Sequence, residues 1–131
     1  MTKLKEKKRK DIKIDLFGMN YSIKFKDQVF STKDSENPYW VFGTSCLGEC
    51  SIEVSTKSEN GLNLTPRTIN ITLLHELVHA IFASGMYQET QDEPLVEWVA
   101  KCIYSLYEQG FFKQLEEYEK KNTTIKQNKD T

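Results

Sequence analysis

Residues 73–82 read LLHELVHAIF, and the two histidines in this stretch are the only two among 131 residues. They stand four apart, with a glutamate directly after the first. On a helix turning about 100° per residue, Thr72, His75, Glu76, His79 and Ala83 share one narrow arc. Ile71, Leu73, Leu74, Leu77, Val78, Ile81 and Phe82 take nearly all the remaining surface. A helix apolar on almost every side is expected to be buried. Its single polar stripe must then face a cleft, a metal or a polar partner.

Spacing i, i+4 puts both imidazoles on one face, one turn apart, as chelation of a single tetrahedral metal requires. Glu76 lies about 100° round from His75. From there its carboxylate reaches a water on the metal more easily than the metal itself, which is the place of a general base in zinc-assisted hydrolysis. Two histidines satisfying polar contacts in a buried helix would be the plain structural alternative. The complete HExxH pattern, using every histidine available, argues against it.

Catalytic zinc takes three protein ligands and leaves a fourth position open. No third histidine exists, and the extended pattern HExxHxxGxxH is absent, because Phe82 and Gly85 stand where its glycine and last histidine would be. The third ligand is therefore expected to be acidic and downstream. The stretch DEPLVEWVA offers Glu93 and Glu97, one helical turn apart. One can bind the metal while the other holds a ligand histidine through its second nitrogen. Glu97, set among Val96, Trp98, Val99 and Ala100, looks less like a surface residue than Glu93 does.

The rest of the chain reads as strands first and helices after, an α+β order. Ile12, Ile14 and Leu16 alternate with polar residues, as do Tyr21, Ile23 and Phe25, which signals a β-hairpin. Residues 31–38 are loop-like in composition, and 50–56 alternate as a strand. A helix is expected from near Pro66–Asn70 to Ser84, stopped by Gly85. A second opens at Pro94, with Asp92 and Glu93 at its positive end, and closes near Gly110. A third, over 111–121, sets Phe111, Phe112, Leu115 and Tyr118 at helical spacing. One domain over 11–121 is expected, between a basic flexible tail (1–10) and a polar flexible tail (122–131).

The start, MTKLKEKKRK, is basic, but it is short and contains Glu6, so a frayed terminus is a better reading than a nucleic-acid arm. The net charge of −1 gives no general pull toward nucleic acid or anionic membrane. No apolar run approaches the roughly 18 residues of a membrane helix. An apolar stretch of signal-peptide length is also missing after the basic start, so a cytoplasmic location is expected. Three cysteines, an odd number, suit a reducing compartment. Cys46 and Cys50 have no partner pair that would make a second metal site, and they and Cys102 read as free, partly buried thiols. Trp40 and Trp98 read as core residues.

At LLHELVHAI, and at EPLVEWVA beginning 14 residues past His79, the sequence resembles small gluzincin-like metallopeptidases. The resemblance is to the ImmA/IrrE type and its short versions from phages and mobile elements, and it covers roughly residues 45–106. It implies a small zincin-like domain: N-terminal antiparallel strands, then the HExxH helix, then a second helix bearing a ligand glutamate. In that family the ligand acid is followed four residues later by an acid or amide, and three further on by Ala. Glu93, Glu97 and Ala100 match, which favours Glu93 as ligand and Glu97 as its support. Pro94 sets Glu93 at the very start of its helix, so Glu97 stays open as the ligand. The resemblance also implies a strand along which substrate lies, just before the active helix. CSIEVST occupies that place, with Ile52, Glu53 and Val54 as its centre, and an extended peptide could pair with it.

The function expected is zinc-dependent cleavage of a peptide bond, in one regulatory protein rather than many. The alternative is a zinc-stabilised module that binds a protein partner without cutting it. Glu76 favours hydrolysis, because a scaffold has no use for a general base.

Overall fold

A computed structural model describes residues 8–16, 18–32, 36–85 and 92–129, with side chains through residue 120. The first two strands, β1 (Ile12–Leu16) and β2 (Met19–Lys26), pair antiparallel with Ile14 opposite Tyr21. Gly18 turns between them at φ +88°, and its N–H donates to Asp15 Oδ1 at 2.7 Å. Alternation sends Tyr21 and Ile23 to the buried face, as the sequence predicts.

Two short strands that the sequence does not announce flank the loop expected at 31–38. β3 (Val29–Ser31) and β4 (Tyr39–Val41) form an antiparallel ribbon. Three residues are too few for alternation to show in the sequence. β5 (Gly43–Cys46) then turns back through a single 3-10 turn, Leu47–Glu49, into β6 (Ser51–Ser55). Cys50, in the left-handed region at φ 52°, closes that turn.

The main sheet runs β1-β2-β6-β5. It is mixed rather than antiparallel throughout, because β2 and β6 are parallel. A parallel pair needs a long crossover, and the chain between Lys26 and Ser51, carrying the ribbon and β5, supplies it. One buried hydroxyl fastens the ribbon to the sheet. Ser55 Oγ accepts from Val29 N–H at 2.8 Å and donates to the Val41 carbonyl at 2.7 Å.

Helix α1 (Pro66–Ser84) opens on Thr65, whose side chain accepts from Thr68 N–H, with Pro66 in its first turn. Its end at Gly85 is not left-handed, since φ there is −88°. One flank, with Ile69 and Ala80, packs on Tyr21, Ile23, Ile52 and Val54 of the sheet. The other flank sets Val78 against Val96 and Ala100 of helix α2 (Glu93–Glu108). Full burial of such aliphatic side chains contributes roughly 1.5–3 kcal/mol each. α1 is therefore covered on two sides rather than all round, and Ile81 is 40% exposed. The polar arc is left facing a cleft.

Asp92 caps α2 by accepting from Leu95 N–H at 3.2 Å. Gly110, at φ +76°, leads into α3 (Phe111–Lys129), whose helical backbone continues past the expected end at 121. Phe111, Phe112, Leu115 and Tyr118 lie exposed along it. Trp98 is 66% exposed on α2 and is not the core residue expected. It points away from the buried face that Val96, Ala100 and Tyr104 define. Trp40 is half-buried and donates its indole N–H to the Lys57 carbonyl. The cysteines are free thiols, Cys50 half-buried and Cys46 and Cys102 exposed.

Of the basic start, residues 1–7 lie outside the described residues. Arg9 is tied down: it donates to Asn70 Oδ1 at 2.6 Å and lies over the Phe25 ring. Residues 86–91, between α1 and α2, also lie outside the described residues. No helix among the described residues is long and apolar enough to cross a membrane.

Candidate metal centre

The polar arc of α1 meets the first turn of α2. His75 and His79, one turn apart, have ring centroids 5.0 Å from each other. Glu93, the first residue of α2, reaches across to both. Its two carboxylate oxygens lie 2.8 Å from His75 Nε2 and 3.0 Å from His79 Nε2. Ligand atoms of His75, His79 and Glu93 all fall within 4.8 Å of one another, so the three could hold a metal ion. Bonds of about 2.0–2.2 Å in a tetrahedral site put ligand atoms roughly 3.3–3.6 Å apart. Small side-chain adjustments therefore suffice, and the donor set fits.

Glu97, one turn further along α2, takes the other nitrogen of His75. Its Oε2 lies 2.6 Å from His75 Nδ1. Lys101, four residues on, approaches the second oxygen of Glu97 at 3.5 Å. The ring of His75 is thus gripped at Nδ1 while Nε2 is turned to the shared centre. The two glutamates occupy the two places the sequence left open, with Glu93 at the centre and Glu97 behind His75.

Glu76 lines the cleft beside the two histidines, as its place on the polar arc predicts. It is 8% exposed and packed, not merely facing water. Burial pushes its carboxyl above the usual carboxylate range, and Glu93 adds to the rise. A hydrogen bond from the Ser45 hydroxyl and the nearby His79 and His75 pull the other way.

The substrate strand inferred at Ile52, Glu53 and Val54 is corrected by the sheet. β6 is paired on both sides, with β2 and with β5, so it has no free edge. Ile52 and Val54 are 0% exposed, while Glu53 turns outward to an ion pair with Lys26. The edge is β5. The Phe42 carbonyl accepts from Ser55 N–H at 2.8 Å, and Thr44 lies opposite Glu53 in the same register. Hydrogen-bonded and non-bonded pairs alternate in an antiparallel ladder. Gly43 and Ser45 consequently point their N–H and C=O groups away from β6. β5 escapes sequence reading because Gly-Thr-Ser-Cys carries no apolar alternation. Its one signal is the glycine just ahead of a tight return into an alternating strand.

β4 and β5 wall a cleft of about 930 Å³ whose floor is the polar arc of α1. Among the described residues lining it there is no Lys or Arg, and its ionisable side chains at the centre are two histidines and three glutamates. Gly43 sets how closely wall and floor approach. A Cβ there would lie 2.9 Å from Thr72 Cγ2, 3.0 Å from the Glu53 carbonyl and 3.3 Å from Glu76 Cγ. Gly43→Ala is therefore expected to cost about 1–3 kcal/mol, read as a lower melting temperature. An unchanged melting temperature would show that strand and helix can part without cost.

Comparison with protein-family models, curated proteins and solved structures finds no match to this chain, so the chemistry of the centre is read from its own geometry.

Proposed function

We propose that this protein is a zinc-dependent peptidase in which His75, His79 and Glu93 hold the metal and Glu76 is the general base. One observation carries the reading: two imidazole Nε2 atoms and a carboxylate converge within 4.8 Å, and the Glu76 carboxylate is buried beside them on the same helix. Two nitrogens and one oxygen suit zinc, and three protein ligands leave a coordination position open. When bound, zinc supplies Lewis acidity that polarises a carbonyl and acidifies water.

The chain's own groups do the remainder. Glu76 takes a proton from the attacking water on one carboxylate oxygen and returns it to the departing amine nitrogen. Glu97 holds His75 at Nδ1 and thereby fixes which nitrogen faces the metal. Gly43 and Ser45 offer an extended peptide the backbone groups of an added strand. The substrate class is a protein or peptide chain, and the resemblance to ImmA/IrrE-type peptidases implies a regulatory one.

The test is incubation of the zinc-loaded protein with a proteome-derived peptide library, followed by identification of new termini. Cleavage that stops on chelation and returns with zinc is expected. Retention of a polypeptide with no new terminus would instead favour a zinc-stabilised module that binds without cutting.

A further inference from the structure

Ser45 is the residue of the edge strand that faces both ways. Its side chain lines the same cleft as Glu76, and its hydroxyl lies near enough to favour the ionised Glu76 carboxylate. Its own N–H and C=O point outward from the sheet, because the register places it opposite Ile52 at a non-hydrogen-bonded position. Gly43 lies two residues earlier, so its missing side chain is on the same face. A Cβ on Gly43 would stand 3.3 Å from Glu76 Cγ. The stem of Glu76 thus runs beneath Gly43, and Ser45, Glu76 and both histidines line one cleft. A glutamate side chain has several rotatable torsions, and a partner for its terminal carboxylate selects among them.

We propose that Ser45 is a positioning residue that aims the Glu76 carboxylate into the cleft. The hydroxyl acts through Glu76 and need not touch a peptide itself. Because the backbone of the same residue stands at the edge of the sheet, the base is aligned with that edge within a single residue. The consequence for catalysis rests on the peptidase reading, but the contact itself does not.

The experiment uses the full chain loaded with zinc and labelled with ¹³C at the glutamate side-chain carboxyl carbons. The Glu76 resonance is the one missing from Glu76→Gln. Ser45→Ala should keep the native zinc content and melting temperature, and should move the Glu76 resonance while the other glutamate signals stay in place. Ser45→Thr, which keeps a hydroxyl, should return that resonance toward its native position. On a peptide the native protein cleaves, Ser45→Ala should lower kcat by about 10–100-fold with little change in KM.

A Glu76 resonance unmoved by Ser45→Ala overturns the proposal. So does one moved equally by Ser45→Ala and Ser45→Thr, because shape rather than the hydroxyl would then matter. A rise in KM with kcat unchanged also overturns it. If the native protein cleaves nothing, the peptidase reading fails by itself, and the resonance still decides whether Ser45 holds Glu76.

Discussion

Glu76→Gln is expected to slow peptide cleavage by about 10²–10⁴-fold while zinc content stays close to native. The amide has the shape of the carboxylate, so it fits the same slot beneath Gly43, and its oxygen can still accept from the Ser45 hydroxyl. What it lacks is a site that can take a proton from water at neutral pH. Stability should hold or rise. Burial already disfavours the ionised carboxylate, so replacing a buried charge with a neutral amide removes a cost instead of adding one. The measurements are cleavage rate, zinc per chain and melting temperature on the same preparations. Equal rates for native protein and variant would remove Glu76 from the chemistry. A variant that loses zinc or unfolds would show that Glu76 serves the fold.

His75→Ala should bring bound zinc from about one per chain to near zero after equilibrium dialysis, because three protein ligands are the minimum seen in catalytic zinc sites. The effect is large because one ring serves two contacts. Its Nε2 lies 2.8 Å from Glu93 and its Nδ1 lies 2.6 Å from Glu97. Truncation removes a donor and also leaves Glu97 without the group it holds. The two glutamates are separated by the same measurement. Glu93→Gln should abolish tight binding, whereas Glu97→Gln should weaken it by about 10–100-fold. If Glu97→Gln loses the metal and Glu93→Gln keeps it, the roles are exchanged. Native metal content in His75→Ala would rule out a site at this place.

The centre was legible because its signal is local. His75, Glu76 and His79 lie within five residues, and a helix of known period turns that spacing into a shared face. Glu93 and Glu97 were legible in the same way, as neighbours one turn apart on a second helix, although only the fold shows which histidine nitrogen each meets. The cleft wall was not legible. Whether Ile52 and Val54 lie in an edge strand or an interior strand depends on where β5 and β2 fall, and alternation within β6 is the same in both cases. The parallel direction of β2 and β6 is likewise set by the crossover and not by either strand. Tertiary surroundings, not residue type, leave Trp98 in solvent while Val96 and Ala100 beside it are buried.

The donors of the centre belong to two helices, His75 and His79 to α1 and Glu93 to α2. An ion held by all three is a cross-link, and its binding energy is added to that of folding. At free metal a hundredfold above the dissociation constant, the linkage is worth about 2.7 kcal/mol, enough to cut the unfolded population roughly a hundredfold. The lifetime of such a chain in a cell that degrades what unfolds would follow the supply of metal. Scarcity would then remove the protein itself, and not only its activity.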